Sequence, residues 1–162
     1  MSERIAAESY GFTRDQYRLY VAIHELGHAV AGISEGYDYR KVTVRLDGGH
    51  SRTRGSAYPS WWGKKERIPQ LVSLHGGFIA NEIYLKRNGL WDPRRKELAQ
   101  GNARSDYSAA DNLKPSRRET EDAIFKARRH LERHWTVIDY AAPELAKKGQ
   151  MSFRQLRSVP GW

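Results

Sequence analysis

The chain has no cysteine and only two methionines in 162 residues. Disulfides are therefore excluded, and so is any thiolate metal centre. Any metal ion bound by the chain would have to be held by His, Asp or Glu. No run of about 18 apolar residues occurs, which argues against a membrane-spanning helix. The opening stretch, MSERIAAESYGF, lacks the hydrophobic core of a signal peptide, so the expected location is cytoplasmic. The phosphate-cradling pattern GxxxxGKS/T is missing as well, and with it a P-loop ATPase. Internal repeats and low-complexity tracts are absent. The length suits a single domain over residues 1–162 with one core.

What is present is basic. Lys and Arg number 28 against 19 Asp and Glu, a formal net charge of +9. The segment from Arg40 to Arg67 carries eight basic residues against Asp47 and Glu66, interleaved with Tyr58, Trp61 and Trp62. Nucleic-acid contact through phosphates and stacking is one reading of it, and a preference for acidic peptides is another. Basic composition alone favours a third, a soluble surface with aromatic packing beside a cleft.

The periodicity describes a mainly α (α+β) domain. A helix is expected from about Arg14 to Gly32. Thr13 and Gln16 form a capping box, Phe12 and Tyr17 a hydrophobic staple, and Gly32 and Gly36 the stop. In Tyr39 to Leu46, Val42, Val44 and Leu46 alternate with Lys41, Thr43 and Arg45, as in a half-buried strand. Asp47-Gly48-Gly49 signals a turn, and Gly55 to Tyr58 a short return strand ended by Pro59. A second helix, apolar almost all round, is expected from Ile68 to Arg87, with Gly76 and Gly77 allowing close approach to the first. Asn88 to Asn102 reads as loop, and Arg104 to Leu113 as a short helix. Ser116 and Glu119 then open a long helix to about Tyr140, with Ala123, Ile124, Ala127, Leu131, Trp135 and Ile138 inward. Pro143 is expected to kink or restart it. Ser152 and Gln155 suggest a last short helix.

The most informative residues are His24-Glu25-Leu26-Gly27-His28. Two imidazoles four residues apart share one helix face and can grip one zinc ion. The intervening glutamate projects from the next position and can reach a water on that ion. This is the HExxH pattern of zinc peptidases, set in an apolar stretch where unliganded histidines would be costly. Catalytic zinc normally takes three protein ligands. The extended HExxHxxGxxH form fails because Ser34 stands at its last position. Glu82, Asp106, Asp111, His75 and His50 remain as candidates for the third ligand. His130 and His134 repeat the four-residue spacing, but Arg128, Arg129 and Arg133 around them disfavour a cation.

Several blocks resemble the peptidase domain of the FtsH-type ATP-dependent zinc proteases. Ala22 to Gly32 is similar to that family's zinc helix, whose usual core is HEAGHA, with Leu26 in place of alanine. Lys41 to Val44 followed by Gly55 to Tyr58 resembles its edge strand and return. Gly76 to Ile83 resembles its GGRxAEE helix, and Ala103 to Ala110 its GASNDLxxAT segment. The blocks keep the family's order and cover nearly the whole chain, without the ATPase.

The resemblance implies a helical zinc-metallopeptidase domain with a small antiparallel sheet and one Zn2+ per chain. Its ligands would be His24, His28 and Asp106, with Asp111 as the runner-up for the third. Glu25 would be the general base, and Glu82 or Asn81 would orient the imidazoles. If exposed at an edge, the strand bearing Val42, Thr43 and Val44 would hold a polypeptide substrate. A separate ATPase or adaptor is a possible partner, and the oligomeric state is open. Two other readings stand beside this one. One is a regulator-cleaving HExxH peptidase, with its third ligand on another helix. The other is a basic nucleic-acid-binding module with a vestigial zinc site.

Overall fold

The structure, a computed structural model, describes residues 7–37, 39–46, 53–59 and 67–162. For residues 45, 46 and 53–59 it describes the backbone alone. The expected turn at Asp47-Gly48-Gly49, the side chain of Tyr58, the Trp61-Trp62 stretch and His50 lie outside the described part.

Helix α1 (Arg14–Ser34) is the centre of the fold. Its capping box forms: Thr13 Oγ1 accepts the Gln16 N–H, and Gln16 Oε1 accepts the Thr13 N–H. Such a cap contributes about 1 kcal/mol. The rings of Phe12 and Tyr17 stand 6.3 Å apart, as a staple requires. From Tyr20 to Gly32 every residue is buried, so the helix is covered on all sides. Gly36 ends it in the left-handed region, at φ 88°. Gly32 does not end it; the ring of Tyr39 occupies the space where a Gly32 side chain would stand.

Helix α2 (Arg67–Arg87) crosses α1 at a glycine pair. A Cβ on Gly27 would come within 2.4 Å of the Gly76 carbonyl oxygen, and one on Gly76 equally close to that of Gly27. The two backbones therefore touch. This close packing offsets the ~1 kcal/mol by which a glycine weakens a helix.

The sheet is antiparallel with strand order β2-β1-β3. Strand β1 (Tyr39–Leu46) pairs with β2 (Thr53–Pro59), setting Val42 opposite Ala57. It also pairs with β3 (Gln150–Ser152), setting Val42 opposite Met151, and the Val44 N–H donates to the Gly149 carbonyl at 2.7 Å. This last strand was not expected. It corrects the edge-strand reading of Val42, Thr43 and Val44, because those residues have neighbours on both sides. Among the described strands the outer positions belong to β2 and β3.

Other departures have local causes. Within the expected loop, Pro93–Asn102 is a helix, α3. Asp92 caps it by accepting the Arg95 N–H at 2.8 Å, and Pro93 fills a first-turn position where no N–H is needed. Only Leu98 and Ala99 are buried from it, so its apolar pattern is faint. Helix α4 (Arg104–Asn112) falls where expected. The long helix opens on the Ser116–Glu119 box but breaks at His134 into α5 (Arg117–Arg133) and α6 (Trp135–Lys148). Pro143 lies inside α6 and is not the break. Ile124 is partly exposed, whereas Ala123, Ala127, Leu131, Trp135 and Ile138 are buried as expected. Helix α7 (Phe153–Arg157) opens on the Ser152–Gln155 box. The result is a mainly helical protein with a small antiparallel sheet. Among the described residues no helix is long and apolar enough to cross a membrane.

Candidate metal centre

His24 and His28 lie on one face of α1, their rings edge to face with centroids 4.8 Å apart. The chain brings Asp106 to them from α4, more than seventy residues on. His24 Nε2 and His28 Nε2 are 3.2 Å apart. Asp106 Oδ2 lies 3.2 Å from the first and 3.3 Å from the second. Atoms held about 2.0 Å from the centre of a tetrahedron stand about 3.3 Å apart. The three atoms therefore form a triangle of the size that three tetrahedral zinc ligands make.

Hydrogen bonding sets which ring nitrogens face inward. The Asn81 Nδ2 group donates to the Tyr20 carbonyl, so Asn81 Oδ1 is the atom turned toward His24 Nδ1, 2.9 Å away. That oxygen can only accept, so His24 carries its proton on Nδ1. His28 Nδ1 donates to the Ser73 carbonyl at 2.8 Å by the same logic. Both Nε2 lone pairs are thus directed at the aspartate oxygen. With both imidazoles neutral, three acceptors converge and repel one another, and either a proton or a metal cation relieves that repulsion.

The remaining neighbours leave room for an ion. A Cβ on Gly77 would stand 2.5 Å from His28 Nε2 and 2.7 Å from His24 Nε2. Gly77 is therefore not only a close-packing residue, as its sequence context suggested; its missing side chain keeps the triangle open. His24, Glu25 and His28 are each less than a tenth exposed. Without a metal, protons take up part of the strain. Burial pulls the His28 pKa down, but the Asp106 charge and hydrogen bond, with Glu25, push it to about 9. Burial would raise Asp106, yet His28 and His24 hold its carboxyl well below the usual carboxylate range. Glu25 moves the other way: burial raises its pKa against the pull of the two histidines.

The other candidates are placed elsewhere. Asp111 is exposed and outside the triangle. Glu82 does not orient the imidazoles: it pairs with Lys86 at 2.7 Å and Arg128 at 2.5 Å, tying α2 to α5. Asn81, beside it, does orient one. A carboxamide in an otherwise apolar stretch of helix was the available signal. His75 is buried next to the Tyr107 ring and lies outside the triangle. His130 bonds Glu35 at 2.7 Å while His134 meets the Gly161 carbonyl, so these two histidines serve packing separately.

No protein-family model matches the chain, and no curated protein matches it.

Proposed function

We propose that the chain is a zinc-dependent metalloendopeptidase, similar to an FtsH-type peptidase domain standing without its ATPase. The observation that carries this reading is the triangle of His24, His28 and Asp106, with edges of 3.2 to 3.3 Å beside a buried Glu25. His24, His28 and Asp106 would hold one Zn2+ per chain, leaving one position of a four-coordinate site for water. The chemistry a zinc ion supplies in such a site is polarisation of water and of the scissile carbonyl.

The chain's own residues do the rest. Asn81 and the Ser73 carbonyl keep each imidazole in the tautomer that presents Nε2. Glu25 takes the proton from the attacking water and passes it to the leaving amine. Burial raises the Glu25 carboxyl, so it holds a transferred proton more readily than an exposed glutamate would. The two histidines and a carboxylate give a less positive centre than three histidines would. β1 is paired on both sides, so of the two outer strands described, β2 with its seven residues offers an extended polypeptide a longer edge than the three-residue β3. A separate ATPase or adaptor is the partner this reading needs for folded substrates.

Asp106 as third donor, on a short helix after the Gly76-Gly77 helix, favours this reading over the regulator-cleaving type. The test is casein cleavage by the wild type and Glu25→Gln. Cleavage should fall by about 10²- to 10⁴-fold in the variant while its zinc content stays at the wild-type level. Wild-type cleavage by Glu25→Gln would contradict the proposal.

A further inference from the structure

Ser73 meets His28 at two points. Its carbonyl accepts the imidazole Nδ1–H, and its hydroxyl lies 3.1 Å from the His28 carbonyl oxygen. The Tyr39 hydroxyl, from the first residue of β1, lies 3.0 Å from that same oxygen and hydrogen-bonds the Ser73 hydroxyl. Two hydroxyls carry two protons, while three contacts join them and the carbonyl. One hydroxyl therefore donates to His28 while the other donates to its fellow, and the pair is saturated either way. All three residues are buried, so no water competes for these bonds. The seat of Tyr39 is built separately by Gly32, one turn beyond His28. A Cβ there would stand 2.5 Å from the Tyr39 ring and from its hydroxyl.

From this geometry we infer that Tyr39 and Ser73 are positioning residues for metal binding. They pin the backbone of His28 against α2 so that its Nε2 stays on the triangle with His24 and Asp106. The inference rests on the metal-site reading above and extends it: the first residue of the central strand helps set a ligand on α1. Neither residue touches the metal. Each hydroxyl can partly replace the other as donor to the His28 carbonyl, so the two act redundantly. The effect belongs to the double variant, and Gly32→Ala reaches the same network by displacing the ring.

The test measures zinc affinity by chelator competition, together with the ring Nδ1–H signal of His28 in the metal-free protein. Tyr39→Phe and Ser73→Ala singly should weaken zinc binding a few-fold. The double variant should weaken it by about 10- to 100-fold, the usual effect of removing partners that orient a ligand. Gly32→Ala should follow the double variant. In the double variant the His28 Nδ1–H signal should broaden through solvent exchange. Val42→Ala removes core volume from the same strand and serves as the stability control; it should lower Tm and leave both readouts unchanged. A double variant with wild-type affinity and a wild-type signal overturns the inference, as does an equal loss in Val42→Ala. If the wild type binds no zinc, the function proposal fails on its own, and the metal-free signal still decides the role of Tyr39 and Ser73.

Discussion

Helix α1 and helix α4 supply the same candidate site from very different positions. The first carries His24 and His28 on 21 residues, opened by a reciprocal cap and buried all round from Tyr20 to Gly32. The second carries Asp106 on nine residues, with no side-chain cap and only Ala110 buried. The two histidines are held by Asn81, Ser73 and the glycine crossing whether or not a metal is bound. The aspartate is held chiefly by the site itself. A candidate metal ligand can thus be fixed by the core, or, once an ion binds, be a cause of order in the element that bears it.

The largest expected effect tests the core side. Gly77→Ala should improve helix propensity by about 1 kcal/mol, yet reduce zinc affinity by more than about 100-fold, because the new methyl enters the triangle. Zinc titration and thermal melting of the same sample check it. If zinc binding is unchanged, the triangle is not where the ion sits. Next comes a contrast between neighbours on α2. Asn81→Ala removes the acceptor of the His24 Nδ1 proton and should cost about 10- to 100-fold in zinc affinity. Glu82→Gln alters the ion pairs with Lys86 and Arg128, and should stay within about two-fold. Equal losses in both would show that α2 acts on the site through general stability.

A smaller, graded effect follows from protonation. His28 is raised from its usual 6.5 to about 9, so its contribution to metal-free stability is full below pH 6.5 and is lost as pH rises through about 9. Asp106 is lowered, so its contribution is present above its usual 3.8 and is lost as pH falls further. The metal-free protein should therefore draw most from this pair between about pH 4 and 6.5. Zinc must displace the His28 proton, so its affinity should fall about tenfold per pH unit below 9. A pH-independent affinity between 6 and 8 would contradict that coupling.

Legibility in the sequence followed the same divide. The α1 half was open to reading because capping box, staple and ligand spacing all lie within one local period. The cap at Ser116 and that at Ser152 were readable for the same reason. Asp106 was one of several residues that could serve, and only the resemblance to a family singled it out. Strand β3 is three residues long and depends on β1, so it left no periodic trace. Helix α3 carried an Asp92-Pro93 start signal, but too few apolar residues to support it. Glu82 and Asn81 are adjacent, and the sequence shows no reason why the amide faces inward while the carboxylate turns to Arg128. Nothing local marks Tyr39 as more than the start of a strand, since its partners lie on two other elements.

The most direct measurement is zinc per chain in the purified wild type, Asp106→Ala and Asp111→Ala. The account predicts about one zinc in the wild type and in Asp111→Ala, and less than about a tenth of that in Asp106→Ala. A full zinc complement in Asp106→Ala, or its loss in Asp111→Ala, would contradict the site.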